Sequence, residues 1–372
     1  MGRFTAWLPS GAVVLLGGAL AIGPTLRAQS SPATGGDGTL VVGTWPNRLL
    51  LIDEATERVK GEIPLQAKYA PGFFRRSPDG KRLYIPNSDL ETIEIVDLPS
   101  HRSLDVFRLG EGRSKARVLD AAPDPLGRYL AVFVKPSEKR PDHFAIGPNA
   151  IVIYDLQQHR ITRSLPWPDD NELEGVGLVF SPDGKFLYLL SEDVVILDTD
   201  GFKEVGRWEL SRPLEPGMGR FDFAATDDEL EEPGFYTGLF RAEDPVQHRS
   251  LMGVGRINLL ARTVDFFTVG PSQSRVTFAL APGRERAYGV ARAIGHYELW
   301  TFDLVGRRLA SRAEFAGRPR IDLKVSSNGK LLYLYTAGNT IDLYDAATYA
   351  YLRTITLDGD TTTQLMVFKD KI

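Results

Sequence analysis

Apolar residues in this chain come in short runs cut by polar turns, not at helical spacing. The last stretch shows the unit most plainly. Ser326-Ser-Asn-Gly329 is followed by apolar runs within Lys330–Tyr335, Thr340–Asp345 and Leu352–Leu357. β-branched and aromatic residues suit a pleated, half-buried surface, so each run predicts a strand. The succession recurs after Ser77-Pro-Asp-Gly80, Asp124-Pro-Leu-Gly127, Ser181-Pro-Asp-Gly184 and Ala281-Pro-Gly283, with a degenerate copy at Ala225-Thr-Asp-Asp228. Proline presets φ in such turns, and glycine accepts the positive φ that ends them. The anchors lie roughly 45–55 residues apart, a period that calls for a solenoid or a propeller.

Each anchor has an apolar strand before it, such as Gly175–Phe180 or Arg275–Leu280, and three strands after it. Named A, B, C and D in chain order, four strands per unit describe a propeller blade better than the single strands per rung of a β-helix. Six anchored units follow an opening one, Thr39–Trp45, Arg48–Asp53 and Val59–Leu65, that has B, C and D but no A. Gln364–Phe368 is an A strand without a blade. Joining the two pairs edges that would otherwise be exposed. The expectation is an all-β, seven-bladed β-propeller over 39–372, closed by pairing the C-terminal strand with the first blade.

In such a blade the A–B and C–D turns share one end of the ring, and the B–C and D–A loops share the other. The first end is trimmed. The second is built up by B–C insertions at Lys135–Asn149 and Arg241–Ser250 and D–A insertions at Trp167–Glu174 and Ser211–Gly219. Long loops on a rigid scaffold are the usual place for binding. Tyr69, Arg113, Phe144 and Tyr297 are therefore candidate partner contacts, and His143, His248 and His296, in three B–C loops, are candidate polar contacts for a partner or substrate. Their spacing is not that of a metal site, and none is expected. His101 and His159 fall in C–D turns. The aspartates closing the C strands (Asp53, Asp97, Asp155, Asp198, Asp303 and Asp345, with Asn258 in the fifth unit) read as starters of Asx turns, not as a carboxylate constellation. The acidic runs Asp169–Glu172 and Asp227–Glu232 read as solvated loop, with a Ca²⁺ site as the alternative. No phosphate loop, nucleophile elbow or zinc-protease motif is present.

Composition adds a compartment. Arg3, the apolar run Gly11–Gly23 and Leu26-Arg-Ala28 have the form of a cleaved secretory signal over 1–28, followed by a flexible leader over 29–38. The expected location is periplasmic or secreted, with no membrane span. Arg3 and Arg27 are the only charges in the signal. Of 44 basic and 48 acidic residues, the remainder keeps every acid and two fewer bases, a net charge of −6. That argues against nucleic acid or an anionic membrane as partner. There is no cysteine, which excludes disulfides and Cys-x-x-Cys-His haem attachment.

The repeat resembles the YVTN-type seven-bladed propellers. Four segments carry a narrower resemblance, to the β subunit of quinohemoprotein amine dehydrogenase: Leu40–Asp53, Asp142-His-Phe-Ala-Ile-Gly-Pro-Asn149, Phe235-Tyr-Thr-Gly-Leu-Phe-Arg241 and Leu357–Phe368. This resemblance implies a periplasmic assembly of three different chains that oxidises primary amines. A haem c-bearing subunit and a small subunit with a cysteine–tryptophan-derived quinone would be the partners. The propeller would carry no cofactor, dock the small subunit and wall its pocket, and no catalytic residue transfers to this chain. The other readings are a free-standing extracytoplasmic propeller that binds a protein or small ligand, and a propeller hydrolase such as a lactonase.

Overall fold

The computed structural model describes residues 33–168, 176–191, 193–210, 212–214, 218–219, 221–226 (222–226 by backbone), 232–272, 276–317 and 322–372. The expected signal over 1–28, the insertion tips at 169–174 and 215–217, and the acidic residues 169–172 and 227–231 lie outside them. Among the described residues every regular element is a strand. No helix is long and apolar enough to cross a membrane.

The strands form seven antiparallel sheets, six of four strands and one of five. The first orders Met366–Phe368, Thr39–Thr44, Arg48–Asp53 and Arg58–Pro64. Its A strand comes from the far end of the chain, with Thr39 opposite Phe368 and Val41 opposite Met366. In the other sheets A, B, C and D follow in chain order. Apolar clusters join each sheet to the next. Leu49 and Leu51 pack with Leu83 and Ile85 of the second sheet. Further clusters join the second to the third, and so on to the sixth and seventh. Leu50 and Ile52 pack back against Leu331 and Tyr333 of the seventh. The arrangement is propeller-like.

Packing on both faces explains a departure from the expected alternation. The middle strands are buried almost throughout, as in Leu49–Ile52 and Leu331–Tyr335. A strand covered on both sides reads as a continuous apolar run. Polar positions concentrate in the outer D strands, of which Arg58–Pro64 and Arg160–Pro166 are mostly exposed.

All seven C–D turns share one geometry. The residue four after the closing Asp or Asn has positive φ in each: Glu57, His101, His159, Phe202, Arg262, Arg307 and Tyr349. The Asx turns are present as read. Asp53 accepts from the Thr56 N–H at 2.8 Å, Asp303 from Gly306 at 2.7 Å and Asn258 from Ala261 at 2.9 Å. Turn N–H donors hold Asp53, Asp198 and Asp303 below the ordinary carboxylate value, and the Thr348 hydroxyl and N–H do the same for Asp345. A lowered folded value means that this stabilisation is complete above the unfolded value of about 4 and is lost as pH falls through the folded one. The melting temperature is therefore expected to fall below about pH 4. Replacing these four aspartates by Asn, the residue the fifth sheet already uses, should flatten that drop. An unaltered profile would mean that other groups govern acid unfolding.

Of the expected leader over 29–38, residues 29–32 lie outside the described ones, and 33–38 make hydrogen bonds to the first and seventh sheets. Arg353 donates to the Ala33 carbonyl at 2.7 Å and Asn328 to the Thr34 carbonyl at 2.8 Å. The Gly38 N–H donates to the buried Glu54 carboxylate at 3.1 Å.

Candidate functional site

At the B–C end one projection belongs to the third sheet. Lys135–Asn149 is not a loop, as expected, but a continuation of the sheet. Tyr129–Lys139 runs on past its blade-length neighbours and pairs with Phe144–Ile146 on one side and with Ser114–Arg117 on the other. Arg113 fastens the outer end, its Nε donating to the carbonyl of Lys139, just before the hairpin turn, at 2.9 Å while its own carbonyl accepts from the Lys139 N–H at 2.8 Å. Phe144–Ile146 is an edge strand. Phe144 and Ile146, two residues apart, lie on one face, 55% and 60% exposed. His143 beside them bonds Asp142 at 2.7 Å. Arg113 thus bonds the hairpin that carries His143 and Phe144. Arg241–Ser250 is likewise strand, with only a tight turn between Phe235–Asp244 and Arg249–Asn258, and His248 sits in that turn with positive φ.

The remaining candidates divide. Tyr69 is exposed on the D–A connection into the second sheet. Tyr297 is not a surface contact. It is 4% exposed, stacks on Phe315 and shares a 3.0 Å hydrogen bond with Tyr344 of the seventh sheet. The C strand already starts at His296, so Tyr297 faces inward. The three histidines stand on three sheets and form no common group. His296 has Glu298 and Glu314 within ligand range. Glu298 is already occupied, bonded at 2.7 Å by both Arg312 and the Trp300 indole. Burial pulls the Glu298 carboxyl up, but these bonds and the nearby charges outweigh it and hold it below its usual value. The group thus has one carboxylate already engaged by Arg312 and Trp300. Around it, Trp45, Val246 and the fully exposed Ile294 add apolar tips to the B–C end.

Sequence reasoning overlooked the opposite end. The A strands and A–B turns of all seven sheets line two cavities that share Arg76. The larger, about 180 Å³, is walled by Ala121–Pro123, Leu178–Phe180, Pro182 and Phe235. The smaller, about 40 Å³, is lined by Lys324, Ser326, Ser327 and Lys369 besides Arg76. Beside Arg76, Arg75 is neutralised by Asp120, to which its Nε and Nη2 donate at 2.9 and 2.6 Å. Asp120 also accepts from the Leu178 N–H at 3.1 Å, so one carboxylate joins the second, third and fourth sheets. The only signal in the sequence was the pair Arg75-Arg76 where other units carry apolar A strands.

No protein-family model matches the chain and no curated protein matches its sequence. Among solved structures it is similar to the dihydro-heme d1 dehydrogenase NirN in complex with DHE, with a TM-score of 0.55 and 13% identity over 90% of this chain and 76% of that one. It is also similar to a functionally unknown protein from Desulfotomaculum acetoxidans DSM 771, with a TM-score of 0.54 and 12% identity over 90% and 99%. Kuenenia stuttgartiensis hydrazine synthase follows at 0.49 and 17%, over 84% and 90%. At these identities the likeness to the first two is one of fold, and that fold is propeller-like.

Proposed function

We propose that this chain is a docking subunit: a seven-bladed propeller, closed through Met366–Phe368, that presents its B–C end to partner proteins. The third-sheet hairpin carries this reading, because an edge strand bearing exposed Phe144 and Ile146 offers backbone pairing and apolar contact together. The cyclic order of the apolar clusters supports the closure. The partners proposed are those that the resemblance implies, a haem c-bearing chain and a small quinone-bearing chain of a periplasmic amine dehydrogenase. The hairpin supports that choice in one respect: Asp142–Asn149, one of the resembling segments, contains the exposed edge strand. In this reading the propeller brings no redox group, in keeping with a sequence free of cysteine.

Co-expression with the neighbouring genes and purification through this chain tests the reading. A haem chain and a quinone-containing small chain should co-purify. Recovery of the propeller alone would favour a free-standing binding protein. Phe144→Asp should weaken partner binding about tenfold or more, as loss of an interface anchor does, and leave thermal unfolding nearly unchanged because the side chain is exposed. Equal loss of binding and stability would remove the hairpin from the interface.

A further inference from the structure

We propose that Arg76 and the apolar wall beside it bind a small organic carboxylate at the A–B end of the sheets. This site is independent of the docking reading, since it lies at the other end of the strands.

Three observations carry it. First, Arg76 is a cation without an anion. Its guanidinium lies over the Phe368 ring, 5.1 Å from the centroid, and its Nε is buried without a hydrogen-bond partner. Arg75, one residue away, shows the usual remedy, a carboxylate supplied by the protein. Arg76 has none among the described residues. Second, among the described residues no acid lines these two cavities, whereas Arg75, Lys324 and Lys369 do, in a chain whose net charge is −4. Arg76 also borders a third, more open space with Asp79 and Asp370, but Lys81, Lys369 and Lys371 line it too and neither acid forms an ion pair with Arg76. Third, the larger cavity is apolar away from Arg76. Leu178, Phe180, Pro123, Pro182 and Phe235 wall it. A cavity of about 150 Å³ accommodates benzene, so about 180 Å³ suits a body of six or so carbons.

The guanidinium fixes the other end of the ligand. Its planar fork matches an oxyanion bidentately, and a partly desolvated, unneutralised fork favours such a partner over water. An apolar body with one carboxylate satisfies both halves of the site. A cation would meet Arg76 and two lysines, and a bare oxyanion would leave the apolar wall unused.

Calorimetric titration of the full chain at pH 7 with benzoate, benzylamine, benzyl alcohol and inorganic phosphate tests this. Benzoate should bind measurably and raise the melting temperature, while the other three should bind at least about tenfold more weakly, for want of either the charge-assisted bond or the buried ring. Arg76→Gln should abolish benzoate binding, and Arg76→Lys should keep part of it. Pro182→Glu, at an exposed rim position, leaves Arg76 in place and should also weaken binding; it serves if the Arg76 variants fold poorly. The proposal is overturned if benzoate does not bind, if benzylamine or phosphate binds as well, or if Arg76→Gln binds benzoate as the parent does.

Discussion

Ending the chain after Asp360 is expected to abolish cooperative folding, not to fray a tail. The missing segment supplies the inner strand of the first sheet, so Thr39–Val41 would lose its partner and become a free edge. It also removes Leu365, Met366 and Phe368, all buried. Leu365 packs in the seam with the seventh sheet, and the other two pack with Phe74 and Leu83 of the second. Gln364 is lost as well. Its side chain exchanges two hydrogen bonds with the backbone of Phe74, at 3.1 and 2.9 Å. Three large buried side chains are worth about 1.5–3 kcal/mol each, against a total stability of about 5–15 kcal/mol for a typical protein. Circular dichroism melts should therefore show no sharp transition for the truncated chain. A peptide of residues 361–372 added in trans should restore one by strand addition. A truncated chain that melts like the parent would disprove the closure.

The repeat made the strands and turns within each sheet legible because it is local. Each anchor glycine, Gly80, Gly127, Gly184, Gly283 and Gly329, takes the positive φ its turn requires. Each C strand ends in the Asx residue that starts the next turn. What failed was whatever depended on a boundary or on distant partners. Reading His296 as loop left Tyr297 as a surface candidate, whereas the strand already begins at His296 and its alternation turns the Tyr297 side chain into the core. The insertions at Lys135–Asn149 and Arg241–Ser250 read as loop because their polar residues, such as Lys135, Glu138 and Lys139, mask strand that projects into solvent. Arg75, Arg76 and Asp120 acquire meaning only where A strands converge, and 45 residues separate Arg75 from its carboxylate.

Glu54 extends that point and gives the second large effect. At the position after the closing Asx residue, the other six sheets carry Leu98, Leu156, Thr199, Leu259, Leu304 and Ala346. The first alone has an acid, fully buried. Its carboxylate accepts from the Gly38 N–H at 3.1 Å, the Ser327 N–H at 2.9 Å, the Ser327 hydroxyl and the Tyr333 hydroxyl at 2.8 Å. Burial and the charge of Glu54 together push the Tyr333 phenol far above its ordinary range, so it stays a donor. Leader, first sheet and seventh sheet thus meet on one acceptor. Glu54→Gln keeps the shape but turns one oxygen into an NH₂ that faces donors. Leaving charged-group hydrogen bonds unmade in a buried site costs about 2–5 kcal/mol. Urea unfolding should show a lowered midpoint of that size. Tyr333→Phe, which deletes one donor, should cost less, about 1–2 kcal/mol. The double variant should lose less than the sum of the two, because the amide no longer confronts the phenol. Additive losses would mean that Glu54 acts through its other partners alone. A Glu54→Gln midpoint equal to the parent's would show that the seam does not depend on the carboxylate.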